Sequence, residues 1–376
     1  MDNGLDIDGA FFVAVLHAAL SNRLDPLADG IGRLRALVSA GAPRPALFAA
    51  VRTQLARHGV DPDWTAGERV CDWLSGRGRS LLVLGAAGYP PLLAAVPAAP
   101  PVLFVEGHAG LLSAPQLAIV GSRRATPSAR DLARTLAHEL AGLGLTITSG
   151  LASGIDGAAH EGALGQAGST IAVFGCGVDR IYPASHRELA ARVRAEGAVV
   201  AEFPLGQRPA PAMFPRRNRI ISGLALGTLV VEAALTSGSL VTARHALDQG
   251  REVFAVPGAV CNPLSRGCHA LLRDGAVLTE TVADILAELR GFAPGGPSGP
   301  SAGCVHPAES RSPDLSPEQR QVYAACDFMP RGVDLIIDEC GLTAPEVSSI
   351  LTALEMKGVV RATTGGAYVR TGKIPA

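Results

Sequence analysis

Three arginines fall within four residues at Arg216, Arg217 and Arg219, with Asn218 between them and Phe214 just upstream. Guanidinium groups at this density suit a polyanion, and the neighbouring ring offers a face for a base, so the chemistry suggested is contact with a sugar-phosphate backbone. Further on, Ser237, Gly238 and Ser239 open a helical spacing that runs through Leu240, Ala243 and Leu247 to a stop at Gly250. A helix start among small residues leaves backbone N–H groups for phosphate. Small residues recur where apolar runs end, at Gly121-Ser122-Arg123-Arg124, Ser149-Gly150, Gly175-Cys176-Gly177, Glu202-Phe203-Pro204, Glu232-Ala233 and Pro257-Gly258. Such a rim lets backbone N–H groups approach a ligand closely, and Arg123, Arg216 and Arg219 are expected to contact successive phosphates. Structural roles are open for three residues: Arg124 as a partner of Asp131, Asn218 as the cap of the helix that follows it, and Asp156 as an N-cap.

The elements that must position these residues alternate. LAIV precedes a helical pattern from Pro127 to Ala141, LTIT one from Ile155 to Gln166, TIAVF one from Ala184 to Ala195, and VVAEF one from Phe214 to Leu224. TLVVEA (Thr228 to Ala233) and EVFAVPG (Glu252 to Gly258) are the last two strand patterns. Continuous apolar strands alternating with helices imply parallel strands with right-handed crossovers, a doubly wound Rossmann-like α/β sheet whose ligand lies at the carboxyl ends. The proline-rich segment from Ser80 to Gly107 adds an edge, so the core domain is expected over 80–290. Helical patterns at Phe11 to Leu20, Ile31 to Ala40, Pro45 to His58 and Trp64 to Leu74 make 1–79 a small helical domain with a packing role. Residues 291–314 hold fourteen Gly, Pro or Ser, too few apolar groups for a core, and are expected to be a linker. Three helical patterns and a hairpin around Gly365-Gly366 make 315–376 a winged helix.

The net charge of −1 excludes a uniformly basic coat, so any nucleic-acid site must be local. Seven scattered cysteines with no C-x-x-C pair point to a reducing cytoplasm and no structural zinc. The apolar run FFVAVLHAAL follows Asp2, Asp6 and Asp8 and contains His17, which fits neither a signal peptide nor a membrane span. The dinucleotide fingerprint is missing after the first strand, where Gly121 is followed by Ser-Arg-Arg-Ala-Thr, so an NAD enzyme is disfavoured and no cofactor is implied. The enzymatic alternative is a nucleotide phosphoribohydrolase with Glu232 as general acid or base. Against it, there is no paired carboxylate, no H-E-x-x-H and no G-x-S-x-G, and His160, His186, His245 and His269 are dispersed without partners in sequence. The reading is a binding protein, not an enzyme.

FPRRNRIISGL, VVEAALTSGSLVTARHAL and GREVFAVPG, with IVGSRRATP, TSGLASGIDGAAHEGAL and TIAVFGCGVDRIYPASHREL upstream, closely resemble the DNA-processing protein A (DprA, or Smf) family. The resemblance runs from about Leu81 to Leu278. It implies single-stranded DNA binding, loading of the RecA recombinase during natural transformation, and a homodimer. It also implies a sterile-alpha-motif or helix-hairpin-helix domain before the core and a winged helix after it. One departure stands out: many relatives carry a lysine and an asparagine after the Tyr-Pro pair, where this chain has Ala184 and His186, and Arg187 is the nearest substitute. The winged-helix region carries seven acidic and five basic residues from Leu315 to Arg370, so it is expected to meet protein and to add little to DNA affinity.

Overall fold

The computed structural model describes residues 7–289, 315–327, 330–363 and 365–371, in two units, 1–298 and 299–376. The expected linker, 291–314, lies outside the described residues. The first unit opens with four helices, α1 (Ile7–Leu20), α2 (Leu24–Ser39), α3 (Arg44–Ala56) and α4 (Trp64–Leu74). Then come β1 (Arg79–Val83), α5 (Pro91–Ala94), β2 (Val102–Gly107), β3 (Gln116–Val120), α6 (Pro127–Gly142), β4 (Thr146–Ser149), α7 (Ile155–Ala163), β5 (Thr170–Gly177), α8 (Arg187–Glu196) and β6 (Ala198–Phe203). The chain continues through α9 (Met213–Leu224), β7 (Gly227–Val230), α10 (Ser239–Asp248), β8 (Glu252–Ala255), α11 (Arg266–Arg273), β9 (Val277–Leu278) and α12 (Val282–Glu288).

The nine strands form one sheet in the order β1-β2-β6-β5-β4-β3-β7-β8-β9. From β6 to β9 every pairing is parallel, while β1 and β2 join as an antiparallel edge. Every residue of β3 and of β5 is buried, which is why these strands read as unbroken apolar runs. The chain steps outward from β3 to β6, then returns to place β7 on the other side of β3. The resulting switch point lies between β3 and β7, the place where open sheets of this kind bind their ligands. Strand β7 is shorter than the expected Thr228–Ala233. Val231 still donates its N–H to the Val120 carbonyl (3.2 Å), and the chain turns away at Glu232.

Alternation along the strands sorts the core. Leu103, Val105, Ile171, Val173 and Val200 face α5, α9 and α10, whereas Phe104, Ala172, Phe174, Val199 and Ala201 face α8 and the four N-terminal helices. The helical region and the sheet therefore share one hydrophobic core. Phe104 is fully buried there, its ring 5.4 Å from His17 and 5.7 Å from Trp73. Helix starts follow local chemistry: Asp63 accepts the Thr65 N–H ahead of α4, and Thr126 accepts the Ala129 N–H ahead of α6, with Pro127 in the first turn.

The second unit contains α13 (Pro317–Ala325), β10 (Arg331–Gly332), α14 (Val333–Cys340), α15 (Ala344–Met356), β11 (Val360–Thr363) and β12 (Ala367–Arg370). Its three strands pair antiparallel beside three helices, a winged helix. Gly341 ends α14 with φ of 64°, and a Thr343/Glu346 capping box starts α15. No helix among the described residues is long and apolar enough to cross a membrane.

Replacing Phe104 with Ala is expected to cost about 3–5 kcal/mol of stability. Fluorescence of Trp64 and Trp73 and amide exchange in β5 should register the same loss. Unequal losses would mean that helices and sheet unfold separately.

Candidate nucleic-acid interface

At the switch point one buried carboxylate ties three loops together. Glu232 accepts the Thr126 N–H (2.9 Å), the Thr126 hydroxyl (3.1 Å) and the Asn262 amide (3.1 Å), while its carbonyl accepts the Ser122 N–H (2.6 Å). It is 4% exposed. These bonds account for Glu232 as the knot between the loops after β3, β7 and β8, with its carboxylate turned into the protein. Gly121 belongs to the same knot, because a Cβ there would lie 2.5 Å from Ile155 Cγ1 and 3.0 Å from the Glu232 carbonyl.

The arginines of α9 divide between two faces of the helix. Arg217 is buried, donating from Nη1 to the carbonyls of Gly150 (2.8 Å) and Val173 and from Nε to Asn218 Oδ1 (3.1 Å). Burial pushes its guanidinium down to about 10, against the opposing pull of Asp156, so it stays cationic at neutral pH. Burial likewise raises the Asp156 carboxyl, with Arg217 opposing. On the other face Arg216 and Arg219 both pair with Glu202, itself 1% exposed. Three of the expected phosphate ligands thus have carboxylate or carbonyl partners of their own.

Two capping expectations give way to a different arrangement. Asp156 lies inside α7, and its Oδ2 accepts the N–H groups of Gly150 (3.1 Å) and Ala152 (3.4 Å) from the preceding loop, while Gly154 takes the N-cap position. Asn218 sits in the middle of α9, accepting from Arg217 and donating to the Gly238 carbonyl (3.3 Å). Asp131 pairs with Arg134 (2.9 Å), which leaves Arg124 exposed without an ion pair among the described residues.

The glycine rim has a mainly internal cause. A Cβ on Gly150 would meet the Arg217 guanidinium at 2.5 Å, on Gly175 the Phe214 ring at 2.8 Å, on Gly177 Asp179 Oδ1 and the Pro204 carbonyl at 2.6 Å, and on Gly258 Ser265 Oγ at 2.2 Å. Close approach is required, but by the protein's own chain. Gly238 differs, since a Cβ there would enter open space. The start of α10 is nonetheless closed: the N–H groups of Leu240 and Val241 reach the carbonyls of Ser237 and Gly238, and that of Ser239 reaches the Ser237 hydroxyl (3.3 Å). Ser149 donates its hydroxyl to the Ile119 carbonyl (2.6 Å), Ser122 accepts the Arg124 N–H (3.1 Å), and Gly258, next to the half-buried Pro257, donates its N–H to His269 (3.4 Å).

What remains exposed is a cation over a ring. Arg123, from the loop after β3, places its guanidinium carbon 5.5 Å from the centre of the Phe214 ring. Phe214 in turn lies against Gly175 at the end of β5 and 5.4 Å from the ring of Tyr182, tilted by 43°. Tyr182 is 48% exposed. Sequence reasoning missed Tyr182, because a lone aromatic before proline reads as a turn. The histidines serve the scaffold: His160 is buried, bridges Thr170 Oγ1 (2.7 Å) and the Leu151 N–H (3.3 Å), and is pushed down to about 3 by burial. His186 bonds the Leu151 carbonyl (3.0 Å). Among the described residues no cluster of His, Cys, Asp and Glu is arranged to hold a metal.

Residues 80–290 match the family model described as DNA recombination-mediator protein A, and 306–366 match the DprA winged helix domain. The chain belongs to the DprA/Smf family. It is 44% identical to protein Smf of Escherichia coli over 299 residues, 79% of either chain, and 43% identical to DNA processing protein DprA of Streptococcus pneumoniae over 202 residues, 53% of this chain and 71% of that one. Among solved DprA structures, that of Streptococcus pneumoniae superposes with a TM-score of 0.56 at 34% identity, covering 77% of this chain and 96% of that one. DprA of Helicobacter pylori, described for its single-stranded DNA binding mode, gives 0.50 at 31% identity, covering 53% and 91%.

Glu232→Gln keeps the shape but sets an amide donor against the Thr126 and Asn262 donors. It is expected to destabilise the protein by about 1–3 kcal/mol. Unchanged thermal stability would mean that the knot does not hold the loops.

Proposed function

We propose that this protein binds single-stranded DNA at the carboxyl ends of β3 and β5 and acts as a non-enzymatic recombination mediator, loading RecA onto incoming DNA in the cytoplasm of a transformable cell as a homodimer. The observation that carries the DNA reading is the Arg123–Phe214–Tyr182 group, where exposed Tyr182 and half-buried Phe214 offer rings for bases and exposed Arg123 a cation for phosphate. Exposed Arg124 adds charge to the same loop. Membership of the DprA/Smf family and the DNA binding described for the Helicobacter pylori protein support it. RecA loading, transformation and the dimer rest on that kinship.

Within the expected contact set, the reading gives the direct contacts to Arg123, Arg124 and Phe214 with Tyr182 added. Arg217, Asn218 and Arg219 hold α9 in place, and Ser149, Gly150, Gly175 and Gly177 shape the floor. Phe214→Ala is expected to weaken oligothymidylate binding by about 1–3 kcal/mol with the salt dependence unchanged, since a stacking face is lost. Arg123→Ala should weaken binding and reduce the slope of log affinity against log salt by about 0.7. Fluorescence anisotropy titrations across a salt series separate the two, and wild-type affinity in both variants would sink the assignment.

The winged helix fits a protein partner better than DNA. Lys357 Nζ donates to Gln319 (2.7 Å), Arg331 pairs with Glu339, and Arg370 donates to the carbonyls of Tyr323 (3.0 Å) and Ala324 (2.8 Å). Arg320 and Arg361 have partners as well. The exposed face of α15 carries Glu346, Glu355 and Met356. A chain ending at Ala308 is expected to retain most of its single-strand affinity at moderate salt, and a loss of tenfold or more, about 1.4 kcal/mol, would make the winged helix a second DNA site.

A further inference from the structure

Phe214, the half-buried ring of the Arg123–Phe214–Tyr182 group, stands on the first turn of α9, and that turn is held from two sides. Side chains three or four apart share a helix face, so Phe214 and Arg217 look toward β4 and β5, Asn218 reaches the Gly238 carbonyl, and Arg216 and Arg219 look toward Glu202. Arg216 also reaches past the sheet. Its Nη2 donates to the Ser21 carbonyl (2.5 Å) as well as to Glu202 Oε1 (2.9 Å), its Nη1 donates to Asn22 Oδ1 (3.3 Å), and its guanidinium lies 5.4 Å from the centre of the Phe203 ring. Ser21 and Asn22 follow the last residue of α1, where helix carbonyls attract a cation.

Capping does little to anchor the start of this helix. The N-cap of α9 is Ala212, with no side-chain cap bond, and there is no acidic residue in the first turn. The joint itself is polar where an apolar one would stabilise at lower desolvation cost: Glu202 Oε2, Arg219 Nη1, Arg216 Nε and His17 Nδ1 are buried with no hydrogen-bond partner among the described residues. Such a joint specifies geometry more than it adds stability. The guanidinium fork is matched to three acceptors on two elements, which a single ammonium does not reproduce.

We propose that the N-terminal helical region is a working part of the nucleic-acid site, with Arg216 as a positioning residue: Ser21 and Asn22 at the end of α1 fix Arg216, and through it the turn that presents Phe214 to Arg123 and Tyr182. The proposal rests on the DNA reading above for its effect on binding, but not for the clamp itself. Its test compares Arg216→Lys, Arg216→Ala and Asn22→Ala in the full chain, by oligothymidylate titration across a salt series and by amide hydrogen exchange. The expected result is that Lys and Ala at 216 weaken binding alike, by roughly five- to tenfold, within the range of a lost stacking contact. The salt slope stays as in the wild type, and exchange quickens over 213–218 but not over 171–174. Asn22→Ala, an exposed change that leaves folding intact, should show a smaller effect of the same sign. Wild-type affinity for Arg216→Lys, together with a reduced salt slope for Arg216→Ala, would overturn the proposal, because Arg216 would then be a phosphate contact. So would unchanged exchange over 213–218 in all three variants. If the wild type binds no oligothymidylate, the DNA reading fails by itself, and the exchange data still decide the clamp.

Discussion

A guanidinium buried under the ends of two strands governs the rest of this site. Arg217 donates to the carbonyls of Gly150, just past β4, and of Val173 in β5, and it does so from a helix arriving from β6. Burying that charge is tolerable only because carbonyls and the neighbouring Asp156 surround it. With Arg217 fixed on one face of α9 and Arg216 and Arg219 held by Glu202 on the other, Phe214 falls over Gly175. Gly150 and Gly175 are the complementary half of the same constraint, since neither position has room for a Cβ.

The sheet was legible because burial on both faces leaves an unmistakable trace in β3, β5 and β6, and because crossovers follow one hand. The arginines were harder. Their types suggested phosphate, and nothing near them in sequence shows that Glu202, fourteen residues before Arg216, waits inside the sheet for two of them. Backbone acceptors such as the Val173 carbonyl leave no sequence signal at all. The rim glycines illustrate the same limit: their spacing marked close approach correctly, but the approaching group is often a distant side chain such as Phe214 or Ser265. Asp156 was misread by a small offset, since the positive φ of Gly154 (83°) sets the helix start before it.

Charge counting and structure meet differently in the second unit. The acidic balance of the winged helix was plain from composition. The way Lys357, Arg331 and Arg370 spend their hydrogen bonds on their own fold was not, because it depends on Gln319, Glu339 and the end of α13. Net charge and the availability of each cation are separate quantities, and both point the same way here.

The common core of helices and sheet also bears on how the chain is made. The four N-terminal helices leave the ribosome before the sheet does, yet the surface they cover is assembled from Phe104, Phe174, Val199 and Ala201, the last two in β6. Synthesis from the end of α4 to the end of β6 takes on the order of ten seconds at roughly 5–20 residues per second. Throughout that interval the side of α1 around His17, whose ring lies 5.4 Å from Phe104 in the finished fold, lacks its complete floor. How long this surface waits to be covered during synthesis is therefore set by how late β6 comes in the chain, a quantity separate from the stability of the finished protein.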